Sequence, residues 1–203
     1  GVRAPVSVDL RTVRLTAGHV WRAPWTPALE QWEDELERAL GAGFRYFMVH
    51  VAGGLCLLAG IIMHVSQTGS AAFDLIGLGT TASWFIFVGI GVNCAWPFLH
   101  PWLTDAYPEA TITGTIFLSA FTTKTAVYVL ARGFPGAEIL IVLGLIMIFY
   151  GIFYGLAESQ PRRMLGYSIV NQVGFMLVGI GIGTELAVSG AVAHAFAHII
   201  YKA

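Results

Sequence analysis

The sequence predicts an all-α protein, a polytopic transmembrane helix bundle of about six helices with one of them broken near Pro97. Only 11% of the 203 residues are charged and 56% are hydrophobic, whereas soluble domains carry about 25% charged residues. Several apolar runs reach the roughly 20 residues with which an α-helix crosses a bilayer. The net charge of −1 gives no reason to expect a nucleic-acid partner, so the lipid bilayer is the expected environment.

The predicted membrane domain covers residues 44–203, after a polar leader at residues 1–43. Residues 1–27 hold basic residues and prolines without a usable period, and we expect them to be irregular. Residues 27–40 are predicted to form an amphipathic helix. One face of that helix would carry Leu29, Trp32, Leu36 and Leu40.

Six segments are predicted to cross the membrane, and they have the length and the apolar composition that a spanning helix needs. These are residues 46–65, 82–100, 111–132, 138–157, 164–184 and 186–203. The arginines predict their orientation. If the helices alternate, one side receives Arg38, Arg45, Arg162 and Arg163, and the other receives Arg132. The more basic side is expected in the cytoplasm, which predicts a multi-pass protein of the cell inner (plasma) membrane.

The second segment contains Pro97, which lacks a backbone donor and clashes with the carbonyl of Asn93. A break there leaves backbone groups that protein or water must satisfy. Such broken helices line ion or substrate sites in transporters, although an ordinary packing kink is the alternative. The following residues 101–110 are predicted to be a loop that brings Asp105 and Glu109 to one mouth of the third helix.

The third segment carries a single lysine, Lys124, a little past its middle. A cation at that depth costs about 2.5–3.5 kcal/mol on insertion scales. The nearer end of the helix is about 12 Å away, which is too far for the side chain to snorkel to the surface. We therefore expect Lys124 to face protein or water and to have a use there.

The last segment places His194, His198 and Lys202 on one helix face, because they are spaced four residues apart. Imidazoles pass protons in either direction near neutral pH. Together with Lys124 and water, these residues would make a proton relay through half of the membrane. The alternatives are hydrogen-bonded packing and a metal site.

Other kinds of site lack support in the sequence. No third metal ligand stands at a suggestive spacing, and there is no HExxH motif. Nucleophile-elbow, phosphate-loop and nucleotide-binding motifs are also missing. We therefore expect no metal, no cofactor and no catalytic residue in this chain.

Three stretches carry a family resemblance: WLTDAYPEATITGTIFLSAFTTKTAVYVL at residues 102–130, RRMLGYSIVNQVGFM at 162–176 and HAFAHIIYKA at 194–203. They resemble the proton-conducting antiporter-like family. Its members include the membrane-arm proteins of respiratory complex I, related membrane-bound hydrogenases, and the A-type and D-type components of Mrp sodium/proton antiporters. The YPEAT and FTTKTAVYVLARGFPG wording is most similar to the D-type Mrp branch. The resemblance runs from about Gly43 onward and corresponds to a central part of longer members.

The resemblance implies a role for each matching residue. Lys124 matches the lysine that links the inlet half of the proton path to its central axis. His194 and His198 match the central histidines of the family, and Lys202 matches the lysine one turn beyond them.

The resemblance also reveals two departures from the family pattern. The segment around Pro97 matches a discontinuous helix, but Asn93 stands where that helix normally carries a lysine. The glutamate that pairs with this lysine has no match either, because the glutamates of residues 30–37 lie in a polar stretch unlike it.

The function implied is that of a subunit of a multisubunit proton-translocating complex, with other membrane subunits as partners. It would move protons in exchange for sodium or coupled to NADH/quinone electron transfer. The chain would not be catalytic by itself, although a redox-driven translocase of the NADH:quinone oxidoreductase type could contain it. The alternatives are a non-conducting structural membrane subunit, which Asn93 favours, and a membrane enzyme with a histidine-based metal site.

Overall fold

The computed structural model describes residues 12–14, 20–22 and 26–202, with side chains from residue 30 to residue 202. The chain divides into two compact units, Gly1–Gly41 and Ala42–Ala203. The described elements are β1 (Thr12–Arg14), β2 (Val20–Arg22), α1 (Thr26–Thr68), α2 (Thr81–Asn93), α3 (Pro101–Glu109), α4 (Ile112–Phe117), α5 (Thr123–Gly133), α6 (Ile139–Ala157), α7 (Pro161–Ile182) and α8 (Glu185–Lys202). A π-helical segment, Leu118–Thr122, joins α4 to α5.

The first unit contains a short antiparallel strand pair, in which Val13 lies opposite Trp21. This pair was not expected in residues 1–27, and the remainder of that stretch before residue 26 lies outside the described residues. The side chains of Trp32, Leu36 and Leu40 are exposed, whereas the predicted face residue Leu29 lies outside the described side chains.

Helix α1 runs from Thr26 to Thr68 and contains both the predicted amphipathic helix at residues 27–40 and the first predicted spanning segment. The helix passes through Gly41 and Gly43. Each glycine inside a helix costs only about 1 kcal/mol relative to alanine, and the flanking residues are good helix formers. This cost is too small to interrupt the helix.

Four of the described helices are long and apolar enough to cross a membrane: Glu30–Thr68, Ile112–Gly133, Ile139–Ala157 and Pro161–Ile182. The apolar helix α2 is shorter. All the other described elements outside the strand pair are helical as well. The prediction of an all-α polytopic membrane bundle is confirmed.

The predicted break is present, because α2 ends at Asn93 and the helix resumes only at Pro101. Between them, Ala95 and Phe98 adopt positive φ angles of 55° and 69°, a conformation that non-glycine residues adopt uncommonly. The indole Nε1 of Trp102 donates to the carbonyl oxygen of Val92 at 3.0 Å, which satisfies one of the backbone acceptors near the break.

The segment after the break is helix α3, and the expectation of a loop at residues 101–110 is wrong. Pro101 occupies the first turn of α3, where its fixed φ favours a helix and its missing N–H costs nothing. Pro108 lies at the other end, in the last turn. Two prolines at the ends of a segment therefore delimit a short helix here.

Helix α7 lies at the centre of the second unit, in contact with α3, α5, α6 and α8. Its contact with α6 depends on two glycines: a Cβ added to Gly174 would lie 2.7 Å from the carbonyl oxygen of Gly144. Small residues allow such close approach between membrane helices. Helix α8 then packs against α7, α5 and the π-helical segment, and this arrangement brings the predicted site residues of α5 and α8 together.

Candidate functional site

The ammonium group of Lys124 lies in the protein interior. The residue is only 5% exposed, and its Nζ donates a hydrogen bond to the carbonyl oxygen of Ser119 at 2.6 Å. Ser119 belongs to the π-helical segment, whose widened turn is typical of functional sites in helices. Lys124 therefore faces protein, where a backbone carbonyl accepts its hydrogen bond.

His198 is the most deeply buried of the predicted relay residues, with 0% exposure. Neither of its ring nitrogens has a hydrogen-bond partner among the described residues. Lys124, Lys202 and His194 all lie close enough for their charges to act on its ring. The ring centroids of His194 and His198 are 6.4 Å apart. The structure thus gathers all four predicted relay residues around His198.

A chain of amide hydrogen bonds holds His194. The Nδ2 of Asn171 donates to the carbonyl oxygen of Ile148 at 3.1 Å, and the Nε2 of Gln172 donates to the Oδ1 of Asn171 at 3.1 Å. The Oε1 of Gln172 then faces the Nε2 of His194 at 2.8 Å. Because the Ile148 carbonyl can only accept, it fixes the orientation of both amides. The hydrogen of neutral His194 therefore lies on Nε2, and Nδ1 carries the lone pair that can accept.

From the sequence, Gln172 is expected to hydrogen-bond across helices and pack the bundle, but its partner His194 is not identified there. The hydroxyl of Tyr201 donates to the same Gln172 oxygen at 3.3 Å. The sequence feature that could have indicated a shared site is the spacing of two polar residues: Ser168 and Gln172 lie one turn apart on one face of α7. Ser168 is also engaged, since its Oγ accepts from the Nζ of Lys202 at 2.9 Å.

A cavity of about 240 Å³ adjoins Lys202. Its lining includes Ser119, whose buried hydroxyl has no hydrogen-bond partner among the described residues. Arg162 also lines it and donates from its guanidinium to the carbonyl oxygen of Pro108 at 3.1 Å. The cavity thus connects Lys202 and the π-helical segment with the arginine at the start of α7.

Asn93 lies at a different cavity of about 370 Å³, which has a mainly apolar lining. Its polar lining residues include Thr122, Thr125 and His64. Asn93 does not line the cavity beside Lys202. Pro97 is half-buried in the irregular segment that follows α2.

The two predicted mouth residues differ in their surroundings. Asp105 accepts a hydrogen bond from the Nε of Arg45 at 2.5 Å and forms an ion pair with it. This pair connects α3 to α1, although exposed pairs of this kind contribute only about 0–1 kcal/mol. Glu109 is exposed in the last turn of α3.

The described residues contain no group of three histidines, cysteines or acidic residues that could hold a metal ion. His194 and His198 therefore have no third protein ligand in this part of the chain. Proton binding is the chemistry that these side chains can perform as they are arranged.

A model of the family described as "NADH:quinone oxidoreductase/Mrp antiporter, TM" matches residues 27–203. The chain belongs to this family. The match begins well before Gly43, so the expectation that the resemblance starts there is wrong. The polar first part of α1 is included in the match to the NADH:quinone oxidoreductase/Mrp antiporter family.

Known members of this family include the NADH-quinone oxidoreductase subunit M of Pseudomonas aeruginosa, which is 31% identical over 188 residues. That alignment covers 82% of this chain and 37% of the relative. The NADH-quinone oxidoreductase subunit N of Desulforudis audaxviator is 32% identical over 186 residues, covering 81% of this chain and 37% of the relative. This chain therefore spans little more than a third of the length of these relatives.

The fold also matches a solved structure, that of the Mrp complex from Dietzia sp. DQ12-45-1b, with a TM-score of 0.73. The match covers 80% of this chain and 33% of the other, at 23% sequence identity. The two chains therefore share a fold over the matched region.

Proposed function

We propose that this chain is the proton-relaying part of a subunit of a multisubunit proton-translocating membrane complex. The observation that carries the proposal is the burial of Lys124 and His198, with the half-buried side chains of His194 and Lys202 as further neighbours of the His198 ring. Ionisable side chains at membrane depth are costly and mark ion pathways. Membership of the NADH:quinone oxidoreductase/Mrp antiporter family supports the same conclusion.

The proposed relay runs between Lys202 and Lys124 through the two histidines. Water in the cavity beside Lys202 delivers or removes the proton at one end. His194 receives it on Nδ1, because Gln172 occupies its Nε2. His198 has no competing partner for its ring nitrogens among the described residues, so it can exchange protons with either lysine through water.

The remaining site residues are proposed for the ends of the path. Asn93 and the break at Pro97 would hold water beside the larger cavity, which Asn93 lines. Glu109, which is exposed, is proposed for the mouth of the path. Asp105 belongs to the same helix, and Arg45 balances its charge.

A separate part of the proposal is the process to which proton movement is coupled. The similarity of the YPEAT and FTTKTAVYVLARGFPG segments to the D-type Mrp component supports exchange against sodium. The names of the curated relatives, which are subunits of NADH-quinone oxidoreductases, support coupling to NADH/quinone electron transfer instead. In either case the partners are other membrane subunits, and the arginine distribution supports the cell inner (plasma) membrane.

A second candidate function is that of a non-conducting structural subunit. The observation that favours it is Asn93, a neutral side chain at the end of α2, where the resembled family normally carries a lysine. In that case, the buried lysines and histidines would serve packing alone.

Replacing Lys124 by alanine in the full-length protein, assembled in its complex, distinguishes the two functions. We expect cation/proton exchange in vesicles to fall by about a hundredfold, because an acid–base group in the path is lost. The matched control is Arg132→Ala, which removes an exposed cation at the end of the same helix and should keep the wild-type rate. An unchanged rate in Lys124→Ala would leave the structural role as the function.

Replacing Gln172 by leucine tests how His194 is held. Leucine removes the acceptor of the His194 Nε2–H, and the ring then loses its fixed orientation and tautomer. We expect the exchange rate to fall by about tenfold, with rescue by Gln172→Glu, whose carboxylate keeps the acceptor. If leucine and glutamate give the same rate, the hydrogen bond has no part in the relay.

A further inference from the structure

Tyr107 connects α3, the helix that follows the break, to the π-helical segment. It lies on α3, is 1% exposed, and donates from its hydroxyl to the carbonyl oxygen of Leu118 at 2.9 Å. Leu118 is the first residue of the π-helical segment. The next carbonyl along the chain, that of Ser119, accepts from Lys124 at 2.6 Å. Two side chains from different helices therefore occupy two successive carbonyls.

The π-helical geometry changes the backbone pairing of the carbonyls in this stretch. In an α-helix each carbonyl is turned toward the N–H four residues later. A π-helical turn holds one more residue and shifts this pairing to the fifth residue, which widens the helix. The stretch Leu118–Thr122 contains no proline or glycine that would cause the change. The contact with the Tyr107 hydroxyl supplies a cause from outside the segment.

We propose that Tyr107 is a positioning residue for Lys124: it maintains the π-helical segment and thereby keeps the Ser119 carbonyl at the Lys124 ammonium group. The inference rests on the proposed relay and names a further residue that the relay requires. The backbone of the same tyrosine also has a contact: the hydroxyl of Thr115 lies 3.1 Å from the Tyr107 carbonyl oxygen and 3.0 Å from that of Thr111, and its single hydrogen is shared between them.

In this proposal the position of α3, the helix after the break, determines the hydrogen bonding of Lys124. Helix α3 is also held by Arg162, through the carbonyl of Pro108, at the cavity that Lys202 lines. A displacement of α3 would pull Tyr107 from Leu118 and let the segment relax toward α-helical pairing. Lys124 would then lose the Ser119 carbonyl, and its neighbour His198, whose ring nitrogens have no partner among the described residues, could accept its hydrogen bond instead.

The test is Tyr107→Phe in the full-length protein within its complex, examined by structure determination and by transport. We expect the structure to show α-helical pairing through Leu118–Thr122 and the Lys124 Nζ away from the Ser119 carbonyl. The exchange rate should fall by about tenfold, and the pH at half-maximal rate should shift. The matched control is Tyr128→Phe, which removes the hydroxyl of a half-exposed tyrosine on α5 that contacts Arg132.

A structure of Tyr107→Phe that retains the π-helical segment and the Lys124–Ser119 bond overturns the proposal. Failure of the relay itself is recognised separately, because Lys124→Ala would then transport at the wild-type rate. If Tyr107→Phe does not assemble, deletion of the exposed Phe121 removes the extra residue of the turn directly. The deletion should give a continuous α-helix with the same loss of transport, and full transport in this variant counts against the proposal.

Discussion

Replacing His198 by leucine should abolish proton transport and at the same time stabilise the protein. The ring is fully buried and both of its nitrogens lack a partner among the described residues. A buried polar group without a hydrogen bond costs about 1–3 kcal/mol, and an apolar replacement of similar size removes that cost. Transport should fall by about a hundredfold, the lower range for loss of an acid–base group.

The two effects are measured on the full-length protein, as exchange in vesicles and as thermal unfolding in detergent. The matched control is His100→Leu. His100 is also buried, with an unpartnered Nδ1 among the described residues, but its ring packs on Tyr150 at 4.3 Å, away from the relay. This control should keep the wild-type transport rate. A His198→Leu protein that transports normally would exclude His198 from the path, and one that is destabilised would contradict the predicted cost of the unpartnered ring.

The opposite signs of the two effects are the important part of the prediction. A histidine retained for packing would lower stability when removed and leave transport to fall only as the fold fails. A histidine retained for proton transfer is held at a cost to the fold. Functional sites are where such local costs are expected.

The sequence predicted those features that depend on single residues. Pro97 cannot continue a helix, and the break at Asn93 follows from it. Lys124 cannot reach the surface from the middle of its helix, and its interior position follows in the same way. The four-residue spacing of the residues on α8 likewise fixed their shared face.

Features that depend on contacts between helices could not be predicted. The π-helical segment has no local signal, and its proposed cause lies in Tyr107 on a different helix. The bond from His194 to Gln172 depends on how α8 packs on α7. The prediction of a loop at residues 101–110 was wrong for a related reason. A proline can end a helix, but it can also begin one.

Replacing Gly174 by leucine should strongly destabilise the α6–α7 contact. A Cβ at this position would lie 2.7 Å from the carbonyl oxygen of Gly144 and 3.0 Å from the backbone nitrogen of Ile148. Backbone atoms cannot move aside as a side chain can, so the two helices must separate. Overpacking of this kind costs about 1–3 kcal/mol and sometimes more, which thermal unfolding of the full-length protein in detergent will measure.

The matched control is Gly190→Ala on α8, where an added Cβ meets nothing within 4 Å. Its unfolding temperature should be unchanged or raised, since alanine is favoured over glycine in a helix by about 1 kcal/mol. Equal stability of Gly174→Leu and the wild type would mean that α6 and α7 do not approach this closely.

The Gly174 substitution should also lower transport, although the atoms nearest to its added Cβ belong to α6 and not to the relay. Helices in lipid gain no hydrophobic free energy from associating, so their contact depends on close packing. Helix α7 carries both Gln172 and Ser168, which hold His194 and Lys202. When α7 moves away from α6, the amide chain that begins at the Ile148 carbonyl is broken, and His194 loses the hydrogen bond that fixes its tautomer.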